Sequence, residues 1–306
     1  MDGTNALGDF LRARRELVGP QEVGIRGGGG LRRVPGLRRE EVATLAGISP
    51  DYYLRLEQGR DRNPSAQVLD ALAEVFRLDA DATAYLHRLA QPAPRRRRAP
   101  RQERVPVSIR RLIDGWTANP AYVQNKFSDL LAVNALAAAL SPNYAPGVNL
   151  LRAAFLDPAE RELRRDWEEA TSEGVASLRA HAGPDVDDPR LVELVGELSV
   201  RSERFRRLWG RHDVRPRVGR VSRLTHPQVG ELDLRADKLT VGGTGELVLV
   251  VFQAEPGSRS AELLALLGSL SASGRAADPP LGGREDRGPA GSGPSRGGGQ
   301  NASGRS

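Results

Sequence analysis

At 306 residues the chain exceeds one ordinary domain, and a hydrophobic content of 39% suffices for packed cores. Cysteine is absent, which excludes disulfides, thiolate nucleophiles and cysteine zinc sites. The formal charge of +6 is uneven: residues 1–106 hold 19 Lys/Arg against 14 Asp/Glu, leaving +1 for the rest, and such a basic excess attracts phosphate by counterion release. Lys126 and Lys238 are the only lysines, so this asymmetry carries more meaning than the number of arginines. No apolar run reaches the length of a membrane span, and the N-terminus lacks a basic region followed by an apolar stretch. A soluble, cytoplasmic, nucleoid-associated chain with no membrane partner is expected.

In chain order, apolar helical periods run over Leu7 to Leu17, Leu37 to Ala46, Ser49 to Gln58, Ser65 to Leu78 and Ala80 to Ala90. The stretch LRREEVATLAGISPDYYLRLEQG, Leu37 to Gly59, has the spacing of a helix-turn-helix. Ala43 supplies the small residue at the helix crossing, and Gly47 suits a turn that needs positive φ. Ser49 is a natural N-cap and Pro50 fits the first turn of the second helix, whose Tyr53 and Leu56, with Ile48 before it, fall at core positions. That helix would enter the major groove of double-stranded DNA with Pro50, Asp51 and Arg55 toward base edges. Arg55 suits a bidentate pair to guanine and Asp51 an acceptor for cytosine. Arg39, Ser49 and Tyr52 are placed to hold phosphate, where a helix N-terminus also attracts anions. Arg60 and Arg62 reach the backbone or lie in a solvated loop.

The segments REEVATLAGIS, YYLRLEQGR and NPSAQVLDAL resemble the DNA-binding domain of XRE-family regulators, which are similar to phage repressors, over about Leu7 to Ala90. The resemblance implies a five-helix unit and a structural ion pair between Glu57 and Arg15 of the first helix. Gly19 to Gly36 is a Gly-rich insertion that the shortest members lack.

Gln91 to Pro106, QPAPRRRRAPRQERVP, has almost nothing to bury and reads as an exposed linker. Its Arg95 to Arg98 serve either as an extra phosphate contact or as a solvated spacer. Strand-like runs follow at Tyr122 to Val133 and within Val218 to Phe252, including Gly230 to Thr240 and Gly245 to Glu255, with Gly242, Gly243 and Gly245 as a hairpin turn. Helical patterns cover Pro158 to His181, Pro189 to Val200, Ser202 to Arg211 and Ser260 to Leu270. The fold class expected is an all-α helix-turn-helix domain followed by an α+β domain with antiparallel strands. Boundaries fall at 1–93, a linker at 94–106, a second domain at 107–272 and a disordered tail at 273–306.

In this second domain NLLRAAFLDP, DWEEATSEGVASLRA, ELSVRSERFRRLWGRHDV, THPQVGELDL and FQAEPGSRSAELLALL resemble the ligand-binding domain of MmyB-like regulators. The insertion with VPGLRREEVA is common in the same subgroup. The resemblance implies a PAS-like fold with an interior pocket and a fatty-acid-like ligand. Trp116, Tyr122, Phe127, Trp167, Phe205 and Trp209 are the large side chains available for core or pocket. Arg207, Trp209 and His212, in the block FRRLWGRHDV, are candidates for holding a carboxylate headgroup; a surface ion pair or an interdomain contact accounts for the same residues.

No catalytic constellation is found. His87, His181, His212 and His226 lack paired metal-ligand spacing, no GxSxG elbow occurs, and Gly27 to Gly30 is followed by Leu31, Arg32 and Arg33 and so is no P-loop. No metal or cofactor is expected. The leading expectation is a homodimeric, sequence-specific regulator that senses a small apolar ligand. Its rival is a DNA-binding adaptor whose second domain is a protein-interaction platform.

Overall fold

The computed structural model describes residues 5–25, 36–61, 63–91, 103–182, 188–214, 219–244 and 247–276. Gly27 to Gly30, Arg62, Arg95 to Arg98, Gly245 and the expected tail beyond 276 lie outside them.

Five helices come first: α1 (Ala6–Leu17), α2 (Arg39–Leu45), α3 (Pro50–Glu57), α4 (Ala66–Val75) and α5 (Ala80–Ala90), with a 3-10 turn at Pro20–Val23. Asn5, Ser49, Ser65 and Asp79 cap their helices by accepting from a first-turn N–H, which satisfies a donor the helix cannot. Their apolar stripes meet in one core that includes Phe10, Leu11, Ala43, Tyr53, Leu56, Leu72 and Leu86. One member comes from much later in the chain: Val214, 3% exposed, completes this N-terminal core.

The second region contains α6 (Val107–Asp114), β1 (Ala121–Gln124), β2 (Leu130–Val133), α7 (Ala135–Leu140), α8 (Leu150–Leu156), α9 (Pro158–Leu163), α10 (Trp167–Ala182), α11 (Pro189–Arg201), α12 (Glu203–Gly210), β3 (Arg220–His226), β4 (Gly230–Thr240), β5 (Val248–Gln253) and α13 (Arg259–Ala276). The strands form one antiparallel sheet in the order β2-β1-β5-β4-β3. This is the α+β class expected. Strand β1 is buried throughout, and central β5 at every position but its last. Along β3 and the first part of β4, buried and less buried residues alternate, as a half-solvated sheet requires. Ile113 of α6 packs with Val123, Leu249 and Val251 on one face. Leu136 of α7 and Leu264 and Leu267 of α13 pack with Tyr122, Leu232, Leu234 and Phe252 on the other. Helices α8, α10, α11 and α12 gather a separate cluster around Phe205.

Several expectations change. The helix expected over Pro158 to His181 is two helices, because Arg164 forms a β-bridge with Leu224 and the Arg165 N–H bonds to the Arg223 carbonyl at 2.9 Å, drawing the chain onto the sheet edge. The run Tyr122 to Val133 is a hairpin whose turn is held by Asn125, whose Oδ1 accepts from the N–H groups of Phe127 and Asp129, both at 2.9 Å. The end of the linker is not exposed: Val105 is buried against the α6 face of the sheet, and Glu103 accepts from Asn125 Nδ2 at 2.6 Å. Helix α13 continues to Ala276, past the expected start of the tail.

Candidate nucleic-acid interface

Gly47 sits in the turn between α2 and α3 with φ of +67°, and a Cβ there would meet nothing within 4 Å, so the glycine is required by backbone conformation and not by space. Ala43, Tyr53 and Leu56 are fully buried, which fixes α3 against α1 and α2. Pro50, Asp51 and Arg55 are exposed on α3, and Ser49 is exposed while its hydroxyl caps the Tyr52 N–H at 3.1 Å. The Arg55 guanidinium lies 5.5 Å from the centre of the half-buried Tyr52 ring, a contact that narrows the orientations of both before any DNA arrives.

Under this exposed edge lies a buried brace. Glu57 is fully buried, and its two oxygens accept from Arg15 Nε and Arg39 Nε, each at 2.7 Å. Arg15 Nη1 also donates to the Leu37 carbonyl at 3.1 Å, and Asn5 Nδ2 donates to the Glu57 carbonyl at 2.6 Å. Burial alone would raise the Glu57 carboxyl, but hydrogen bonds from Arg15 and Arg39 outweigh it and hold the group below its ordinary value. The family resemblance implied Arg15; nothing in the sequence signalled that Arg39 shares the carboxylate. Arg39 therefore has about half of its side chain exposed while its Nε is held by Glu57. Gly8 completes the joint, since a Cβ there would come within 2.2 Å of the Glu57 carbonyl oxygen.

Arg207, Trp209 and His212, singled out in the second domain, have different surroundings. Arg207 is exposed and faces Glu203 at 3.7 Å one turn away. Trp209 stacks on Phe205, with ring centres 5.8 Å apart, and beneath the Arg179 guanidinium at 3.9 Å. His212 contacts Arg179 through Nδ1 at 3.0 Å, and its carbonyl accepts from Arg14 Nη2 of α1 at 2.9 Å. Burial and the neighbouring guanidiniums of Arg179 and Arg14 push the His212 imidazole down to about 3, so it is neutral at physiological pH. Of the three, Arg207 forms an ion pair within α12, Trp209 packs on Phe205 and Arg179 of its own domain, and His212 reaches the N-terminal helices through Arg14. Arg179, the residue that joins them, carries no signal in sequence because its partners lie 30 and 33 positions away.

A cavity of about 630 Å³ opens between α6, α7 and α13, lined by Trp116, Asn119, Leu136, Leu264, Gly268 and Asp114 among others. Of the six large aromatics named from sequence, only Trp116 lines it. Tyr122 instead joins Tyr144 and Phe252 in an aromatic cluster with ring centres 5.1 to 6.1 Å apart that fills the interior beside the sheet. The cavity wall at 113–119 hangs on Asn134, whose Nδ2 donates to the carbonyls of Ile113, Trp116 and Asn119 at 3.1, 3.1 and 2.8 Å. Its Oδ1 accepts from the N–H groups of Ala121 and Ala137 at 3.0 and 2.9 Å.

Among the described residues no cluster of His, Cys, Asp and Glu could hold a metal, and no helix is long and apolar enough to cross a membrane. Comparison with curated proteins finds none that matches. Two family models do match: a helix-turn-helix domain over residues 6–86, and the MmyB-like transcription regulator ligand binding domain over residues 105–267. Both are families of regulatory DNA-binding and ligand-binding domains. A DNA-binding helix-turn-helix joined to an effector domain is the architecture of a ligand-sensing transcription regulator, and the chain belongs to the MmyB-like transcription regulator ligand-binding domain family.

Proposed function

We propose that this chain is a homodimeric regulator that reads double-stranded DNA in a sequence-specific way in the cytoplasm, and whose second domain binds a small alkyl-chain ligand. The observation that carries the DNA reading is the exposed Pro50–Asp51–Arg55 edge of α3 standing on the buried Glu57 brace. A rigid element presenting few polar side chains is what major-groove readout needs, and two such readers on half-sites one helical turn apart supply the affinity that one lacks. Duplexes selected by the wild-type protein from a random pool provide the test. Arg55→Ala should relax selection at one base pair, a loss of about 1–3 kcal/mol in discrimination, while Arg39→Ala should weaken all duplexes alike. Identical behaviour of the two variants would overturn the roles assigned here.

The ligand is assigned to the cavity between α6, α7 and α13, whose size suits a small molecule. Among the described residues its lining holds Asp114 and no Arg or Lys, so an alkyl chain with an uncharged polar end fits better than the fatty acid itself. Native mass spectrometry of the protein purified from cells, followed by addition of a lauric acid, alcohol and ester series to delipidated protein, tests this. A mass lost on delipidation and restored by the alcohol or ester supports the assignment; preference for the acid moves the ligand elsewhere. The filled interior around Tyr122, Tyr144 and Phe252 favours a second reading, a protein-interaction platform without ligand, and that reading wins if no mass is retained and none of the series binds.

A further inference from the structure

Resting on that DNA-reading role, we propose that the segment Arg211–Val214 is a latch that couples the second domain to the recognition helix through α1. Its contacts with the N-terminal domain are of several kinds. Val214 is a core residue of the other domain, the His212 carbonyl accepts from Arg14 Nη2 at 2.9 Å, and Asp213 Oδ1 lies 3.4 Å from Arg14 Nη1. Nearby, Ala180 packs on the same core and its carbonyl accepts from Arg88 Nη2 at 3.5 Å.

The closed latch is held without being locked. Arg179 is buried and Arg14 half-buried, each with a buried Nε that has no hydrogen-bond partner, and Asp213, the carboxylate in contact with Arg14, is itself shared with Arg211 at 3.0 Å. The His212 backbone has φ of +53°, a left-handed conformation that costs energy in any residue with a Cβ and that here turns the carbonyl toward Arg14. Backbone strain within this four-residue segment and undercompensated charge on Arg14 and Arg179 beside it make its docking sensitive to small shifts in the elements that carry it.

Those elements are on the effector side. The latch closes α12, stands beside Arg179 in the last turn of α10, and leads into β3, which pairs with β4, on which α13 packs. On the other side Arg14 is followed by Arg15, so one helix holds Asp213 with one arginine and the Glu57 brace of α3 with the next. A displacement of α1 therefore reaches α3 directly, with Asn5 and Gly8 in contact with the Glu57 carbonyl as well.

Hydrogen–deuterium exchange on the full chain tests the coupling without DNA or ligand. Asp213→Asn and Val214→Ala should each speed amide exchange in α1 and in α3 by about fivefold or more, with α13 unchanged. Asp213→Asn leaves the N-terminal core intact, so it remains informative if Val214→Ala unfolds that domain. Exchange that rises around 211–214 and in α1 but not in α3 overturns the proposal, as does no change in either variant. Asp213→Asn should also weaken binding to the selected duplex by about fivefold, whereas Arg55→Ala should relax selection at one base pair with α1 and α3 exchange unaltered. If the wild-type chain selects no duplex, the DNA-reading role falls while the exchange result still decides the latch.

Discussion

Arg14 and Arg15 are neighbours on one helix, both largely buried, and their environments drive them in opposite directions. Burial would lower each guanidinium; for Arg15 the hydrogen bond and charge of Glu57 more than offset it and the group is raised, while for Arg14 the distant Asp213 does not and the group is lowered. Burial of a charge therefore says little about stability until its partner is measured. The 2.7 Å contact makes a brace; the 3.4 Å contact makes a seam.

The largest expected effect breaks the brace. Glu57→Ala leaves buried Arg15 with only the exposed Glu16 carboxylate at 3.7 Å and should cost about 3–5 kcal/mol in urea unfolding of the N-terminal domain. Acid should do the same more gently. The Glu57 pKa is depressed in the folded state, so its stabilisation is fully present above the ordinary carboxyl value of 4.5 and is lost as pH falls through the lowered folded value. Circular dichroism melts between pH 7 and pH 3 should show the loss only at the acid end, and Glu57→Gln should flatten it. Smallest of all should be Arg14→Met, which removes an undercompensated charge and keeps an apolar stem. It should shift stability by under about 1 kcal/mol, and a loss as large as that of Glu57→Ala would erase the distinction between brace and seam.

The brace was partly legible in sequence and the seam was not. Ala43, Gly47, Ser49 and Leu56 lie within fourteen residues, so their spacing alone carries the geometry of two crossing helices. Glu57 and Arg15 became a pair only through family resemblance. Nothing local marks Val214 as a core residue of the first domain, because its partners are chosen by the docking of α10 and α12. The break between α9 and α10 was equally silent, since it comes from a bridge to β3 and not from Gly or Pro. Helices α7 and α8 are too short, at six and seven residues, to show a period. Asn134 reads as an ordinary turn residue, although its side chain bonds five backbone groups.

Val214 also sets the order in which the molecule is finished. Synthesis proceeds at about 5–20 residues per second, so the ribosome needs roughly 6–25 s to travel from Ala90, the end of the fifth helix, to this valine. For that interval the nascent DNA-binding domain has an open site in its core where Val214 will sit. A truncated chain that ends before Val214 should therefore carry α3 on a less completely packed core.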